Sequence, residues 1–163
     1  MMALWLLLFL FGQSNPGCDG ALWYHVYNPQ RLQIHDLCAR VTGTIVDASH
    51  GKHKDGARHE ADGDGHFWLQ LDPGQESYLN GMNMKNEGGN LVFEPMCLYK
   101  VTQKDAMKAC EGWKNPIVIP AVGTHVALYG SYVTDTQHGH NEIHPVTRIE
   151  TLPILAKASV LAD

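Results

Sequence analysis

Residues 138–146 read HGHNEIHPV and place four possible metal ligands at every second position, namely His138, His140, Glu142 and His144. Alternate residues of a β-strand share one face, so this pattern predicts that the four side chains project together. Imidazole and carboxylate groups are ligands for Zn, Cu and Ni. Alternate Cα atoms lie roughly 6.5–7 Å apart on a strand, so only neighbours such as Glu142 and His144 could share an ion with ligands from elsewhere.

A second histidine-rich segment, residues 47–66, reads DASHGKHKDGARHEADGDGH. It holds four histidines and five acidic residues: His50, His53, His59, His66, Asp47, Asp55, Glu60, Asp62 and Asp64. Polar loops collect such residues without function, so His50 and His53 read as surface residues. His66 begins a predicted strand, where its position is fixed. The remaining three histidines of the chain are predicted to be structural: His25, His35 and His125.

The two segments together predict a divalent-metal site. The expected ligands are His66 and His144, with Glu142, Asp64 or His59 completing the set. Glu142 and Asp64 are also candidate catalytic residues, because a carboxylate can act as a base or orient an imidazole. Water bound at an open position of the metal becomes acidic enough to act as hydroxide. The expected activity is metal-assisted hydrolysis, with a phosphodiester as the substrate class.

The alternative is a non-catalytic module that binds oligosaccharide, nucleic acid or an envelope partner. Trp68 shares the predicted face of His66 and could stack on a sugar or a base, although a partly exposed barrel aromatic is slightly favoured. His140 is a second candidate for substrate contact. Glu94 and Glu142 could also form the carboxylate pair of a retaining glycosidase if their strands are neighbours.

Composition indicates an ordinary globular domain. The chain has 163 residues, of which 18% are charged and 44% apolar, and its net charge is -5. An acidic chain is poorly suited to binding a phosphate backbone, so the composition gives no strong indication of nucleic-acid binding. The apolar run over residues 3–11 is too short to span a bilayer and fits a signal peptide better. We expect a signal peptide or anchor over 1–17, a barrel over 18–151 and a tail over 152–163.

Export to the periplasm, the cell envelope or the medium would expose the cysteines to an oxidising compartment, with no transmembrane helix left after processing. The chain has four cysteines: Cys18, Cys38, Cys97 and Cys110. Four cysteines allow three pairings, and we favour Cys18–Cys38 with Cys97–Cys110 because each closes a short loop. A cysteine-type zinc site is the rival interpretation, but no C-x-x-C pair exists.

Runs of β-branched and aromatic residues predict five strands, at 40–46, 66–71, 90–97, 122–133 and 143–149. One helix is predicted over 102–110, with Thr102 as its N-cap. Pro95 predicts that the third strand is an edge strand or carries a bulge. The order β-β-β-α-β-β is that of the OB-fold, a five-stranded Greek-key barrel, and Gly43 and Gly130 suit its tight bends. Another small barrel or an α+β sandwich is the alternative.

The phrases YNPQRLQIHDLC, RHEADGDGH, NLVFEPMC, VTQKDAMKAC, IPAVGTHVALYGSYV and NEIHPV resemble a group of small exported bacterial and archaeal OB-fold-like proteins. The resemblance runs from about Tyr27 to Ile149. It implies export and a barrel, but no activity is established for the group, so it implies no catalytic residue. The loops after the first and fourth strands flank the usual ligand face of an OB barrel, and both histidine-rich segments fall there.

Overall fold

The computed structural model describes residues 17–153. The expected signal peptide or anchor lies outside this range except for Gly17, and only Leu152 and Pro153 of the expected tail fall within it. Across the described residues, no helix is long and apolar enough to cross a membrane. The structure therefore covers the segment in which the sequence predicts the barrel.

Six strands run through this part of the chain: β1 (Leu32–Val46), β2 (Arg58–His59), β3 (Gly65–Leu71), β4 (Leu91–Phe93), β5 (His125–Asp135) and β6 (Asn141–Thr151). Five of them close a barrel in the order β1-β3-β4-β6-β5 and back to β1, while the short β2 pairs with β3 only. The β4–β6 pairing is parallel, and the others are antiparallel. The predicted five-stranded, OB-fold-like barrel is confirmed.

Two glycines mark places where backbones approach closely in the barrel wall. A Cβ atom on Gly43 would lie 2.3 Å from the carbonyl oxygen of Gln70. A Cβ atom on Gly130 would lie 2.3 Å from the carbonyl oxygen of Pro145, beside a shift in the β5–β6 register. Any side chain would push these strands apart. Glycine was predicted at both positions because it suits the tight bends of a small barrel.

The helix lies elsewhere than predicted. Residues 102–110 form turns and a short 3₁₀-helix, Met107–Cys110, and the α-helix of the described chain is α1, Gly81–Asn86. The reason is tertiary: the backbone N–H and the hydroxyl of Thr102 both donate to the carbonyl oxygen of Ala61, at 2.8 Å and 3.3 Å. Thr102 therefore hydrogen-bonds to the loop before β3 and does not cap a helix.

The prediction of an edge position at Pro95 is also wrong. Strand β4 pairs with β3 on one side and with β6 on the other. Pro95 lies two residues beyond Phe93, the last residue of the strand, so its missing N–H takes no bond from the ladder. The strand is three residues long, which leaves Glu94 just past its end.

The barrel interior is apolar, with Phe67 and Phe93 stacked at a centroid distance of 5.0 Å. Both predicted disulfides, Cys18–Cys38 and Cys97–Cys110, are confirmed, with Cα–Cα distances of 5.6 Å and 5.5 Å. Disulfides are compatible with an oxidising compartment outside the cytoplasm.

Candidate metal centre

A group of buried ionisable side chains, called here the polar cluster, lies at one end of the barrel. Its members are Arg31, Asp64, His66, Glu87, Glu94, Asp135, His140, Glu142 and His144, each at most 9% exposed. They come from the starts of β1, β3 and β6, the ends of β4 and β5, and the end of α1. Strand pairing brings these positions together, because Phe67 faces Phe93 and Phe93 faces Ile143 in register.

The HGHNEIHPV segment contributes three of these members. His140, Glu142 and His144 are buried and share the face opposite to Ile143, which packs in the barrel interior, so the predicted alternation is present. His138 differs, because Gly139 takes a positive φ of 83° in the turn that precedes β6. The turn interrupts the alternation, and the His138 side chain is 66% exposed at the mouth of the site. The pattern was thus predictive for three of its four residues.

Glu94 connects two histidines of the polar cluster. Its Oε1 lies 2.8 Å from Nδ1 of His66, and its Oε2 lies 2.9 Å from Nδ1 of His144. Burial alone would raise the pKa of Glu94, but hydrogen bonds and charges from His144 and His66 outweigh burial and hold the pKa well below its ordinary value. A carboxylate that accepts from one nitrogen of an imidazole orients the ring and leaves the other nitrogen available to a ligand.

The other nitrogen of His144 faces Asp64. Nε2 of His144 lies 3.8 Å from Oδ2 of Asp64, and both buried atoms are without a hydrogen-bond partner among the described residues. Two atoms that each lie about 2.1 Å from one zinc ion are roughly 3.4 Å apart at the tetrahedral angle and roughly 3.8 Å apart at an angle near 130°. Asp64, Glu94 and His144 each offer a ligand atom, and these atoms lie within 4.8 Å of one another. The spacing is that of a small metal site.

Protonation of the two facing groups follows from their surroundings. Burial raises the pKa of Asp64 to about 8. Burial would lower the pKa of His144, but hydrogen bonds and charges from Glu142 and Glu94 raise it to about 10. A metal ion between these groups would take the place of protons, since imidazole and carboxylate bind metals in their deprotonated forms.

The DGDGH phrase explains the position of Asp64. Gly63 has a φ of 97°, which suits glycine, and its N–H donates to the carbonyl oxygen of Glu60 in the tight β2–β3 connection. The Asp62 side chain accepts from the Asp64 N–H at 3.1 Å. Asp64 is turned inward, and its Oδ1 accepts from the Cys97 N–H at 2.8 Å. The DGDGH sequence therefore forms a turn and buries Asp64, a candidate metal ligand.

Glu87 was missed by the sequence analysis. Its Oε2 lies 3.1 Å from Nε2 of His66 and accepts from the Trp68 indole N–H at 2.8 Å, and its Oε1 lies 3.4 Å from Nδ1 of His140. These contacts lower the pKa of Glu87 far below its ordinary value despite burial, which opposes the shift. Trp68 is 8% exposed and positions Glu87, so the structure does not place it as an open stacking surface.

Helix α1 ends at Asn86, and Glu87, the next residue, lies in the polar cluster. The Asn80 side chain accepts from the N–H groups of Met82 and Asn83 and caps the helix. Asn83 then joins the helix to the start of β6, since its amide donates to the Asn141 carbonyl and accepts from the Asn141 N–H, both at 2.9 Å. No hydrophobic periodicity marks so short a helix, which is why the sequence offered no signal for Glu87.

Arg31 and Asp135 are the second pair that the sequence analysis missed. Nη1 of Arg31 donates to Oδ2 of Asp135 at 2.6 Å and lies 3.9 Å from Oε1 of Glu142. The guanidinium is buried, so it offsets part of the negative charge of the cluster. The two residues are separated by 104 positions in the chain, and only the β1–β5 pairing brings them together.

The loop histidines lie apart from the cluster. Nε2 of His59 lies 2.8 Å from Oδ2 of Asp55, and its ring stacks on Tyr99 and His53 at centroid distances of 3.7 Å and 4.0 Å. Its side chain is 34% exposed. The structure therefore does not bring His59 to the expected metal ligands, whereas it does bring Asp64, His66, Glu142 and His144 together.

A cavity of about 650 Å³ opens beside the polar cluster. Six cluster members line it: Arg31, His66, Glu87, Glu94, Asp135 and His140. Asp64, Glu142 and His144 do not, so Glu94 is the one residue of the three-ligand group that reaches the cavity. Comparison with protein-family models, curated proteins and solved structures gives no match for this chain. The resemblance noted above stays an expectation, and the functional argument rests on this geometry.

Proposed function

We propose that this chain binds one divalent transition-metal ion at Asp64, Glu94 and His144. The observation that carries the proposal is a pair of buried atoms, Oδ2 of Asp64 and Nε2 of His144, which lie 3.8 Å apart and have no hydrogen-bond partner within residues 17–153. Leaving two buried polar atoms unsatisfied costs free energy, and a shared cation removes that cost. Glu94 supplies the third ligand or holds His144 from the opposite side of its ring.

Zinc is the first candidate metal. It accepts histidine nitrogen and carboxylate oxygen, and catalytic zinc sites use three protein ligands with a fourth position left for water. Copper and nickel accept the same donors in other geometries. Glu142 packs against the Nδ1 side of His144 at 3.3 Å, which suits a residue that orients a ligand.

The cavity supports metal-assisted hydrolysis of an uncharged polar substrate. Its lining carries five acidic side chains, Glu60, Asp62, Glu87, Glu94 and Asp135, against two arginines. Arg31 is paired with Asp135, and Nη2 of Arg58 lies 2.7 Å from Nε2 of His66. Despite burial, hydrogen bonds to carboxylates raise the pKa of His140 to about 10 and also raise that of His66, but both histidines pair with Glu87. Few unpaired positive groups therefore remain for a phosphodiester, and we propose a neutral substrate in its place. The amide side chains at the cavity, among them Asn86 and Gln137, both donate and accept hydrogen bonds and suit hydroxyl or amide groups.

Non-catalytic binding in the same cavity is the second candidate. The observation that favours it is the position of Asp64 and His144 behind the cavity wall, where a bound substrate has no direct contact with them. In that case the metal stabilises the wall and takes no part in a reaction.

The first test is metal content and affinity. The chain, purified without chelator, should hold about one equivalent of zinc. Asp64→Asn and His144→Gln keep the size of each side chain, and each should weaken zinc binding by roughly tenfold or more. His59→Gln is the matched control, because His59 lies in the histidine-rich loop but outside the cluster, and its affinity should equal that of the parent. Equal zinc affinity in all four proteins would overturn the proposal.

The second test separates the two candidates. The zinc-loaded chain is offered a neutral ester, a neutral glycoside and a phosphodiester, each at matched concentration. Turnover of a neutral compound that disappears in Asp64→Asn supports hydrolysis. Saturable binding of neutral compounds without turnover supports the binding function, and turnover of the phosphodiester alone contradicts the proposed substrate class.

A further inference from the structure

A second set of possible ligands meets at Asp64. A carboxylate oxygen of Asp64 and the sulfur atoms of Cys97 and Cys110 all lie within 4.8 Å of one another. The Cys97 N–H donates to Oδ1 of Asp64 at 2.8 Å, and both Asp64 and Cys97 are buried. The two sulfurs form a disulfide and so bind no metal in this state. Asp64 thus stands between the candidate metal centre and this disulfide.

We propose that reduction of the Cys97–Cys110 disulfide creates a distinct thiolate metal site from Cys97, Cys110 and Asp64. The site would take a soft or borderline divalent ion such as Zn²⁺, because two thiolates and a carboxylate form a strong zinc donor set. It goes beyond the function proposed above, with which it shares only Asp64. The chain would then hold metal differently in reducing and oxidising surroundings.

An independent observation supports the role of Asp64 here. Its Oδ2 is buried and has no hydrogen-bond partner among the described residues, and the residue is 2% exposed. Nε2 of His144, 3.8 Å from that oxygen, is likewise without a partner within residues 17–153. His144 falls in the separate ligand group with Asp64 and Glu94, so the reduced site has three protein ligands, Cys97, Cys110 and Asp64, and a fourth position for water.

Contacts other than the disulfide hold both cysteines near Asp64. On the Cys97 side, the Gly65 N–H donates to the carbonyl oxygen of Pro95 at 3.1 Å, and the Tyr99 N–H donates to that of Gly63 at 2.9 Å. On the Cys110 side, Nδ1 of His25 lies 2.8 Å from the carbonyl oxygen of Ala109. These contacts do not involve the S–S bond, so we expect the two thiols to stay close enough to chelate one ion after it is cleaved.

The chemistry balances with a dithiol as the reductant. A thiolate of the dithiol attacks one sulfur, the Cys97–Cys110 bond breaks, and the dithiol leaves as a cyclic disulfide. Two electrons and two protons pass to the protein, which gives two cysteine thiols. Metal binding then releases those two protons, since thiolates are the species that bind.

Cobalt(II) is the probe, because thiolate-bound cobalt has a sulfur-to-metal charge-transfer band in the near ultraviolet that oxygen and nitrogen ligands lack. The parent chain and a Cys18→Ser/Cys38→Ser variant, in which only Cys97–Cys110 can be reduced, are titrated before and after treatment with a dithiol. The dithiol is removed before the metal is added. We expect the band only after reduction, with two thiols protected from alkylation per metal ion. Asp64→Asn should weaken this binding about tenfold or more.

Two results would overturn the inference: no charge-transfer band in either reduced protein, or a band with the same affinity in Asp64→Asn. Reduced protein in urea shows what an unfolded chain with free thiols binds, and equal affinity in urea would also count against a folded site. Metal binding by the oxidised chain, measured in the same titration, tests the proposed function separately. Either proposal can therefore fail while the other stands.

Discussion

The histidines of the two histidine-rich segments fall into two sharply different environments. His53 and His59 stack on each other at the surface of the loop between β1 and β3. His66, His140 and His144, which lie in or beside strands, are nearly or fully buried among carboxylates. The first segment thus holds exposed histidines and the buried His66, and the second holds the exposed His138 and the buried His140 and His144.

The difference shows that placement on a regular strand, more than the number of histidines in a segment, determines which histidines are buried together. A strand sends alternate side chains to one face, and neighbouring strands add theirs in register. A loop, or a two-residue edge strand such as β2, imposes little such direction. Its histidines pair with the nearest surface acid, as His59 of β2 does with Asp55. The following predictions test this contrast from the largest expected effect to the smallest.

The largest effect is expected for the carboxylate that joins the buried histidines. Glu94→Ala leaves His66 and His144 buried without their partner, so the free energy of unfolding should fall by about 3–5 kcal/mol. Asp55→Ala removes the equivalent partner of the loop histidine His59, and the cost there should be no more than about 1 kcal/mol. Urea unfolding of the two variants measures both values. Similar losses of unfolding free energy in the two variants would contradict the contrast between the buried and the exposed histidines.

An intermediate effect is expected at Trp68, which touches both regions. Its indole N–H donates to Glu87 of the cluster at 2.8 Å, and its ring meets loop residue His50 edge-on at 5.3 Å. Trp68→Phe removes a hydrogen bond to a charged group and should lower the free energy of unfolding by roughly 1.5–3 kcal/mol. His50→Ala should change it by no more than about 0.5 kcal/mol. A larger loss for His50→Ala would show that the loop stabilises Trp68.

The smallest effect concerns His125, at the start of β5. Its Nε2 lies 2.9 Å from Oδ2 of Asp72, and its Nδ1 lies 3.1 Å from the carbonyl oxygen of Pro153. The hydrogen bond to Asp72, then that to Pro153, raise the pKa of His125. Burial alone would raise the pKa of Asp72, but hydrogen bonds from Thr42 and His125 lower it.

A histidine with a raised pKa stabilises the fold fully below its unfolded pKa of about 6.5, and this contribution is lost as pH rises through the folded value. Asp72, with a lowered pKa, contributes above its unfolded pKa of about 3.9 and loses this as pH falls through the folded value. The pair therefore acts most strongly between about pH 4 and 6.5. His125→Gln should lower the free energy of unfolding by up to about 1 kcal/mol at pH 5.5 and by less at pH 9. A loss that grows with pH would contradict this assignment.

Much of the architecture was predictable from local sequence. The β-branched and aromatic runs indicated the five barrel strands, and Gly43 and Gly130 indicated positions for tight bends, because both signals depend on near neighbours in the chain. The alternation of His140, Glu142 and His144 likewise follows from strand geometry alone. Loop closure was enough to select the two disulfides.

Only the tertiary structure decided the composition of the site. Arg31, Glu87 and Asp135 lie in segments with no chemical pattern, and strand pairing or the Asn83–Asn141 contact brings them to the cluster. Another tertiary contact explains why the predicted helix over 102–110 is absent from that segment. Thr102 hydrogen-bonds to Ala61 and therefore does not act as its N-cap. Local patterns specify which way a side chain points, whereas its partners come from chain segments far away, and no local pattern carries that information.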